Sequence, residues 1–228
     1  MKTAILVFAN SAKEELLHKP IIGGERLFEQ LTKKTLTVVK NSGIPFYVVT
    51  EKNQKGNTFG ERFVNAIRDT YDLGFENVIA IGNDTPHLTK HHLLESVRQL
   101  ENNKFVLGPS TDGGFYLMGL HKSQFDPSIF LKLPWQSKHL AKRISLLLKT
   151  TKIDVVKLQV LYDIDTIEDL RIISKFSSNL TIALLKIIQS ILQSVDKIFE
   201  HTKIINNNNN LLCYYNKGSP YYPSSVNA

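Results

Sequence analysis

Three short stretches set acids beside residues that break regular structure, with spacings that could serve chemistry. In "VIAIGNDTPHLTK" (78–90) an apolar run meets Gly82, and a single carboxylate, Asp84, follows two positions before Pro86. A hard cation such as Mg²⁺ takes one or two protein carboxylates and completes its shell with water and substrate phosphates. One acid on a strand-end turn is therefore enough to hold a nucleotide-bound metal, although the same acid could simply start a turn ahead of the proline. In "GPSTDGGFYLMGL" (108–120) Asp112 precedes Gly113 and Gly114, which allow unusual torsions and close approach of a ligand to the backbone. Asp-Gly is also a common turn pair, but Pro109, Ser110 and Thr111 make the region longer than a minimal hairpin. In "YDIDTIEDL" (162–170) Asp163 and Asp165 alternate along an extended segment and share a face, where they repel unless solvated or bridged by a cation. Asp169 has a simpler task, three residues after an N-cap at Thr166.

Alternating elements must position these acids. Strand-length apolar runs at 3–9, 44–50 and 77–82 are separated by helical patterns at 24–43, 58–74 and 89–103. That rhythm predicts a parallel sheet covered by helices on both faces, an α/β class. No helix fits between the runs 104–108 and 115–120, so the second is expected to be antiparallel and the sheet mixed. A helix near 138–150, a strand pair near 153–163 and a helix from Thr166 complete the main unit, 1–176. An amphipathic helix at 177–203 is expected to dock on it, with a homodimer interface as the alternative. Residues 204–228, with the asparagine run 206–210, read as a low-complexity link and peripheral tail.

Composition removes several classes. Hydrophobic residues make up 42% and charged residues 21%, the balance of an ordinary globular protein rather than a disordered chain. One cysteine, Cys213, provides no disulfide framework and no thiolate metal site within the chain, which fits a reducing cytoplasm. The opening "MKTAILVFANSA" reads as a buried first strand rather than a signal peptide, because Lys13, Glu14 and Glu15 follow at once. No run of 18 apolar residues supports a membrane span. The net charge of +7 is scattered, with no arginine-rich tract, so no nucleic-acid partner is expected. His87, His91 and His92 lie near Asp84, but Pro86 and a cap at Thr89 put His87 outside the helix, in a loop role rather than a metal cluster.

Five motifs, "QKGNTFGERF" (54–63), "IGNDTPHL" (81–88), "LGPSTDGGFYLMGL" (107–120), "LPWQS" (133–137) and "DIDTIEDL" (163–170), stand in an informative order. Together they resemble a bacterial family of glycosyltransferase-A-like proteins of mostly unassigned activity, within the nucleotide-diphospho-sugar transferase superfamily. Its members are often labelled glycosyltransferases, or transferases of radical-enzyme or arsenosugar gene neighbourhoods. The resemblance covers roughly residues 1–175. It implies a Rossmann-like glycosyltransferase-A fold, three-layer α/β/α, with a C-terminal helical extension. It places Asp84, beside Gly82, at the metal or nucleotide-diphosphate position, and turns Asp112, Gly113 and Gly114 toward the acceptor. Asp163 and Asp165 would join Asp84 as ligands of Mg²⁺ or Mn²⁺. Trp135 and Ser137 would lie in a loop over the pocket, the indole stacking on a ring or sugar face.

The sequence also departs from that family. Asn10 stands where an early lysine is usual, and "GGERL" keeps only Arg26 and Leu27 of a Lys-Thr-Arg-Leu run, so the resemblance leaves Arg26 as the cofactor-binding cation of that run. Lys13 and Lys19 are nearby but out of register. The expectation is a transferase using a nucleotide-activated donor and a divalent metal, with glycosyl transfer favoured over nucleotidyl transfer. The alternative is a non-catalytic ligand-binding or partner module descended from that fold.

Overall fold

The computed structural model describes residues 2–176, 178 and 180–213, with side chains up to residue 198. Six strands form one sheet: β1 (Thr3–Phe8), β2 (Phe46–Val49), β3 (Asn77–Ile81), β4 (Phe105–Pro109), β5 (Phe115–His121) and β6 (Val155–Lys157). Their order across the sheet is β2-β1-β3-β5-β4-β6. β1 pairs in parallel with β2 and β3, and β4 with β6, while β5 is antiparallel to both its neighbours. The sheet is mixed and mainly parallel, because the 110–114 turn is too short for a crossover helix. The carboxyl ends of β1, β3 and β4 therefore share one edge with the amino end of β5.

The strands are apolar on both faces because helices cover both. Leu6 and Phe8 of β1 face a core with Phe63, Val64 and Ile67 of α3 (Phe59–Asp72), Phe130 of α5 (Pro127–Phe130) and Ile144 of α6 (Leu140–Thr150). Ile5 and Val7 point the other way, to Val39 of α2 (Gly24–Ser42) and Leu93 and Leu100 of α4 (Lys90–Glu101). Alternation along one strand thus feeds two cores, as its period of two requires.

Two elements differ from the sequence reading. A seven-residue helix, α1 (Ala12–His18), follows β1 where only a polar stretch was legible. The strand pair near 153–163 is β6 alone, followed by an isolated bridge between Leu161 and Ser110. Helix α7 (Ile167–Lys175) begins at Thr166, with the Asp169 side chain closing the expected capping box.

Helix α8 (Ile182–Cys213) runs through the asparagine stretch 206–210; residues 214–228 lie outside the described residues. Its face through Leu184, Ile188 and Ile191 is buried in a third cluster with Leu27, Leu31 and Phe28 of α2 and Leu170 and Ile173 of α7. That face is therefore committed within the chain, which removes the apolar surface that motivated a homodimer. Leu184 is fully buried, so Leu184→Ala is expected to cost about 2–5 kcal/mol, read as a lower urea midpoint. An unchanged midpoint would detach α8 from the core. No helix among the described residues is long and apolar enough to cross a membrane.

Candidate functional site

A cleft of about 800 Å³ opens at the edge where β1, β3 and β4 end. Asp84 enters it from the turn after β3, and that turn is braced on two sides. Asn83, almost fully buried, donates from Nδ2 to Thr32 Oγ1 of α2 at 2.8 Å, and the Lys34 ammonium donates to the Pro86 carbonyl. Opposite, the Ile164 N–H donates to the Asp84 carbonyl at 3.1 Å and the Thr85 hydroxyl donates to Asp163. These bonds fix the turn that carries the Asp84 carboxylate. His87 also has a loop role: its Nε2 lies 3.0 Å from the Phe176 carbonyl.

The partner of Asp84 is Lys19, at the C-cap of α1. Its Nζ lies 2.5 Å from Asp84 Oδ2, 2.9 Å from Asp165 Oδ1 and 3.3 Å from Glu15 Oε2. Burial opposes the charged form of Lys19, but Asp84, Glu15 and Asp165 overcome it and its pKa is raised. Burial pushes up the Glu15 and Asp165 carboxyls, against the lowering pull of the same ammonium. Lys19 is the site residue that register with the family pattern missed. The available signal was the Glu15–Lys19 spacing of four with Pro20 directly after, the ending of a short helix that carries an ion pair.

Asp163 sits deeper. Burial and the neighbouring Asp84 charge push its pKa up to about 8, against hydrogen bonds from Thr85 and Ser110, so it keeps its proton at neutral pH. Asp112 lines the cleft on the β4–β5 turn, where its Oδ1 accepts from Ser110 Oγ at 2.5 Å and from the Gly114 N–H at 2.9 Å. Gly82, Gly114 and Ser137 line it too. Gly113 is not in the lining: its φ is +93° and a Cβ there would overlap the Lys138 carbonyl. Its task is to let the loop pass.

Two expected contacts fail. Trp135 donates its indole N–H to the Phe130 carbonyl at 2.9 Å, and its ring lies 5.1 Å from Phe63 and 5.7 Å from Phe59. The indole is an anchor in the α3 core, packed so closely on Gly60 that a Cβ there would lie 2.6 Å from Nε1. It lies outside the cleft lining, so no face is offered for stacking. Arg26 is exposed on α2 and also outside the lining, because the buried stripe of that helix is Leu27, Phe28 and Leu31. Instead, the cleft contains two buried donors without an acceptor, Gln54 Nε2 and Arg62 Nε.

The acids do not fit a resident divalent metal as they stand. A cation shared by Asp84 and Asp165 would need the space of the Lys19 ammonium, which both already bind. Mg²⁺ demands oxygens at about 2.0–2.1 Å in an octahedron. Among the described residues no group of three or more His, Cys, Asp or Glu side chains is arranged to hold a metal.

The mixed α/β fold expected from the motifs is one that this chain shares with a solved structure described as a nucleotide-diphospho-sugar transferase. A protein provisionally described as such a transferase, from Desulfovibrio desulfuricans G20, superposes with a TM-score of 0.75, at 20% identity over 85% of this chain and 97% of that one. A family described as "Uncharacterized protein conserved in bacteria (DUF2064)" matches residues 45–137, which hold four of the five motifs; "DIDTIEDL" lies beyond it. More distant structures include a cytidylyltransferase from Leptospira borgpetersenii, at 17% identity over 86% of this chain and 96% of that one, with a TM-score of 0.44. A glycosyltransferase involved in glycosylating the major capsid of PBCV-1 matches at 12% identity over 70% and 82%, with a TM-score of 0.47. No curated protein matches.

Proposed function

We propose that the cleft binds a nucleotide-activated donor and passes its glycosyl group to an acceptor. The observation that carries this reading is the convergence of Asp84, the Lys19 ammonium and Asp112 on one cleft at the carboxyl edge of the sheet, where open α/β sheets bind their ligands. Gln54 and Arg62 also line the cleft; their Nε2 and Nε atoms are buried without an acceptor and would meet a ligand oxygen only after the side chains adjust. Guanidinium groups suit phosphate oxygens in particular.

In this reading Asp84 fixes the Lys19 ammonium, which stands ready for the negative charge that grows on the leaving phosphate. Asp112 is the base for the acceptor hydroxyl: both its hydrogen bonds fall on Oδ1, leaving Oδ2 for the proton. Asp163, holding its own proton, adds no full negative charge beside the donor. Glycosyl transfer is favoured over nucleotidyl transfer because a nucleoside diphosphate leaving group needs fewer cations than a triphosphate. Of the usual ones, Asn10 replaces the first, and the "GGERL" run keeps only Arg26, which is turned to solvent. Mg²⁺ or Mn²⁺, the cofactors of the family resemblance, would enter only if Lys19 gave way, and no step here is assigned to them.

The test is thermal stability of the chain against nucleotides and nucleotide-sugars, with and without Mg²⁺, repeated for Asp84→Ala. At least one nucleoside diphosphate sugar should raise Tm for the parent chain and lose most of that effect in the variant. No shift with any nucleotide would sink the proposal. A binding module without turnover is the second reading, favoured by the missing lysines; it predicts the same shift with no release of nucleoside diphosphate.

A further inference from the structure

We infer that Lys19 is the built-in cation of this cleft: its ammonium holds the position between Asp84 and Asp165 that a divalent ion would otherwise take, so the ligand is bound without a metal. The inference rests on the cleft being the ligand site described above, but its test needs no turnover.

Three features show that Lys19 is installed rather than passing through. First, its ammonium meets three carboxylates from three parts of the chain, α1, the turn after β3 and the segment before α7. Second, a whole element delivers it. Ser11 caps α1 by accepting from the Glu14 N–H, and the Lys19 N–H closes the helix on the Glu15 carbonyl at 2.8 Å. The Ile21 N–H then returns to the Lys19 carbonyl at 2.7 Å, and Pro20 stops any continuation of the helix. Third, the ammonium is largely out of solvent, with 14% of the side chain exposed, and lies 6.0 Å from the centre of the Phe28 ring.

Charge and size then decide what else can enter. An ammonium at these distances forms charge-assisted hydrogen bonds, so both acids already have a cation at contact. A divalent ion bound to the same oxygens would stand against that positive charge unless its three carboxylate contacts broke first. Take the ammonium away, and Asp84 and Asp165 aim oxygens at one vacated point with Glu15 beside it, an uncompensated negative charge that a hard cation can fill once the side chains adjust.

The experiment compares the full parent chain with Lys19→Met and Lys19→Arg, using Mn²⁺ alone as the probe. Bound Mn²⁺ is followed by the loss of the free-ion paramagnetic resonance signal, and Tm is followed in parallel. The parent and Lys19→Arg should leave the signal unchanged at millimolar Mn²⁺. Lys19→Met should take up about one ion, and its Tm should rise by roughly 3–6 °C at about ten times Kd. A Lys19→Met chain that folds only with Mn²⁺ present also supports the inference. Uptake of Mn²⁺ by the parent that is abolished by Asp84→Asn would overturn it, and that measurement stands even if Lys19→Met does not fold. Lys19→Met that folds but ignores Mn²⁺ would overturn it as well. The two proposals fail separately. A nucleotide that binds the parent only with Mg²⁺ or Mn²⁺ removes the built-in cation and keeps the transferase. The expected Mn²⁺ results with no nucleotide bound under any condition do the reverse.

Discussion

Asp84→Ala is expected to remove transfer, by about 10²–10³-fold or more, while the chain still folds. The size of the effect follows from what the carboxylate holds. Asp84 makes the shortest of the three contacts to the Lys19 ammonium, and its turn is fixed through Asn83, Thr85 and Pro86 rather than through the carboxylate itself. Losing the side chain leaves the loop in place but frees the ammonium to lean toward Asp165 and Glu15. The cation then no longer stands at the end of β3. The stability cost should be about 1–3 kcal/mol, below the ~3–5 kcal/mol of breaking a fully buried pair, because 26% of the Asp84 side chain is exposed and two other acids remain. Part of it is returned, since Asp84 is one cause of the raised pKa of Asp163. Donor turnover and a urea melt on the same preparation check both halves. Turnover within about threefold of the parent would remove Asp84 from the machinery.

Gly113→Ala should give the largest loss of stability of any single methyl added to the cleft loops. A Cβ on Gly113 would overlap the Lys138 carbonyl and lie 2.7 Å from its carbon, and the φ of +93° is unfavourable for any L side chain. Neither neighbour is a flexible side-chain end, so backbone has to move. The same glycine carbonyl accepts the Ala141 N–H at 3.0 Å, tying the loop to the start of α6. Relief on one side therefore breaks a bond on the other. A cost of about 3 kcal/mol or more is expected, a Tm lower by roughly 6–12 °C. Ligand affinity should fall with it, because Asp112 and Ser137 lie on the two segments that must part. A Tm within about 2 °C of the parent would show that the loop yields freely.

The sheet was legible because its strands are short apolar runs buried on both faces, and the helices between them carry one stripe each. The antiparallel β5 was legible for a negative reason: residues 110–114 leave no room for a crossover. Helix α1 was not, because it has seven residues and faces the site with an acid, Glu15, where a periodicity search looks for an apolar residue. It is held by the Ser11 cap, by an ion cluster made with distant segments and by Ala12 and Leu16 at the edge of the third apolar cluster, too few apolar positions to leave a pattern. Lys19 stayed hidden for the same reason, since only the folded chain brings positions 19, 84 and 165 together. Trp135 shows the opposite error. An aromatic ring in a loop beside a cleft reads as a ligand platform, yet its N–H and both neighbouring phenylalanines bind it to the core. Arg26 was placed by register alone, and the helical phase of α2 turns it to solvent.

The most direct test of the transferase reading is donor turnover by the full chain. Incubated with a panel of nucleoside diphosphate sugars and no acceptor, it should release nucleoside diphosphate slowly from at least one of them, with water standing in for the acceptor, and the Asp84→Ala chain should not. Separation of the products by ion exchange, or phosphorus resonance of the mixture, reads the outcome. Binding of such donors with no release, even when candidate hydroxyl acceptors are added, would contradict transfer and leave a binding module in its place.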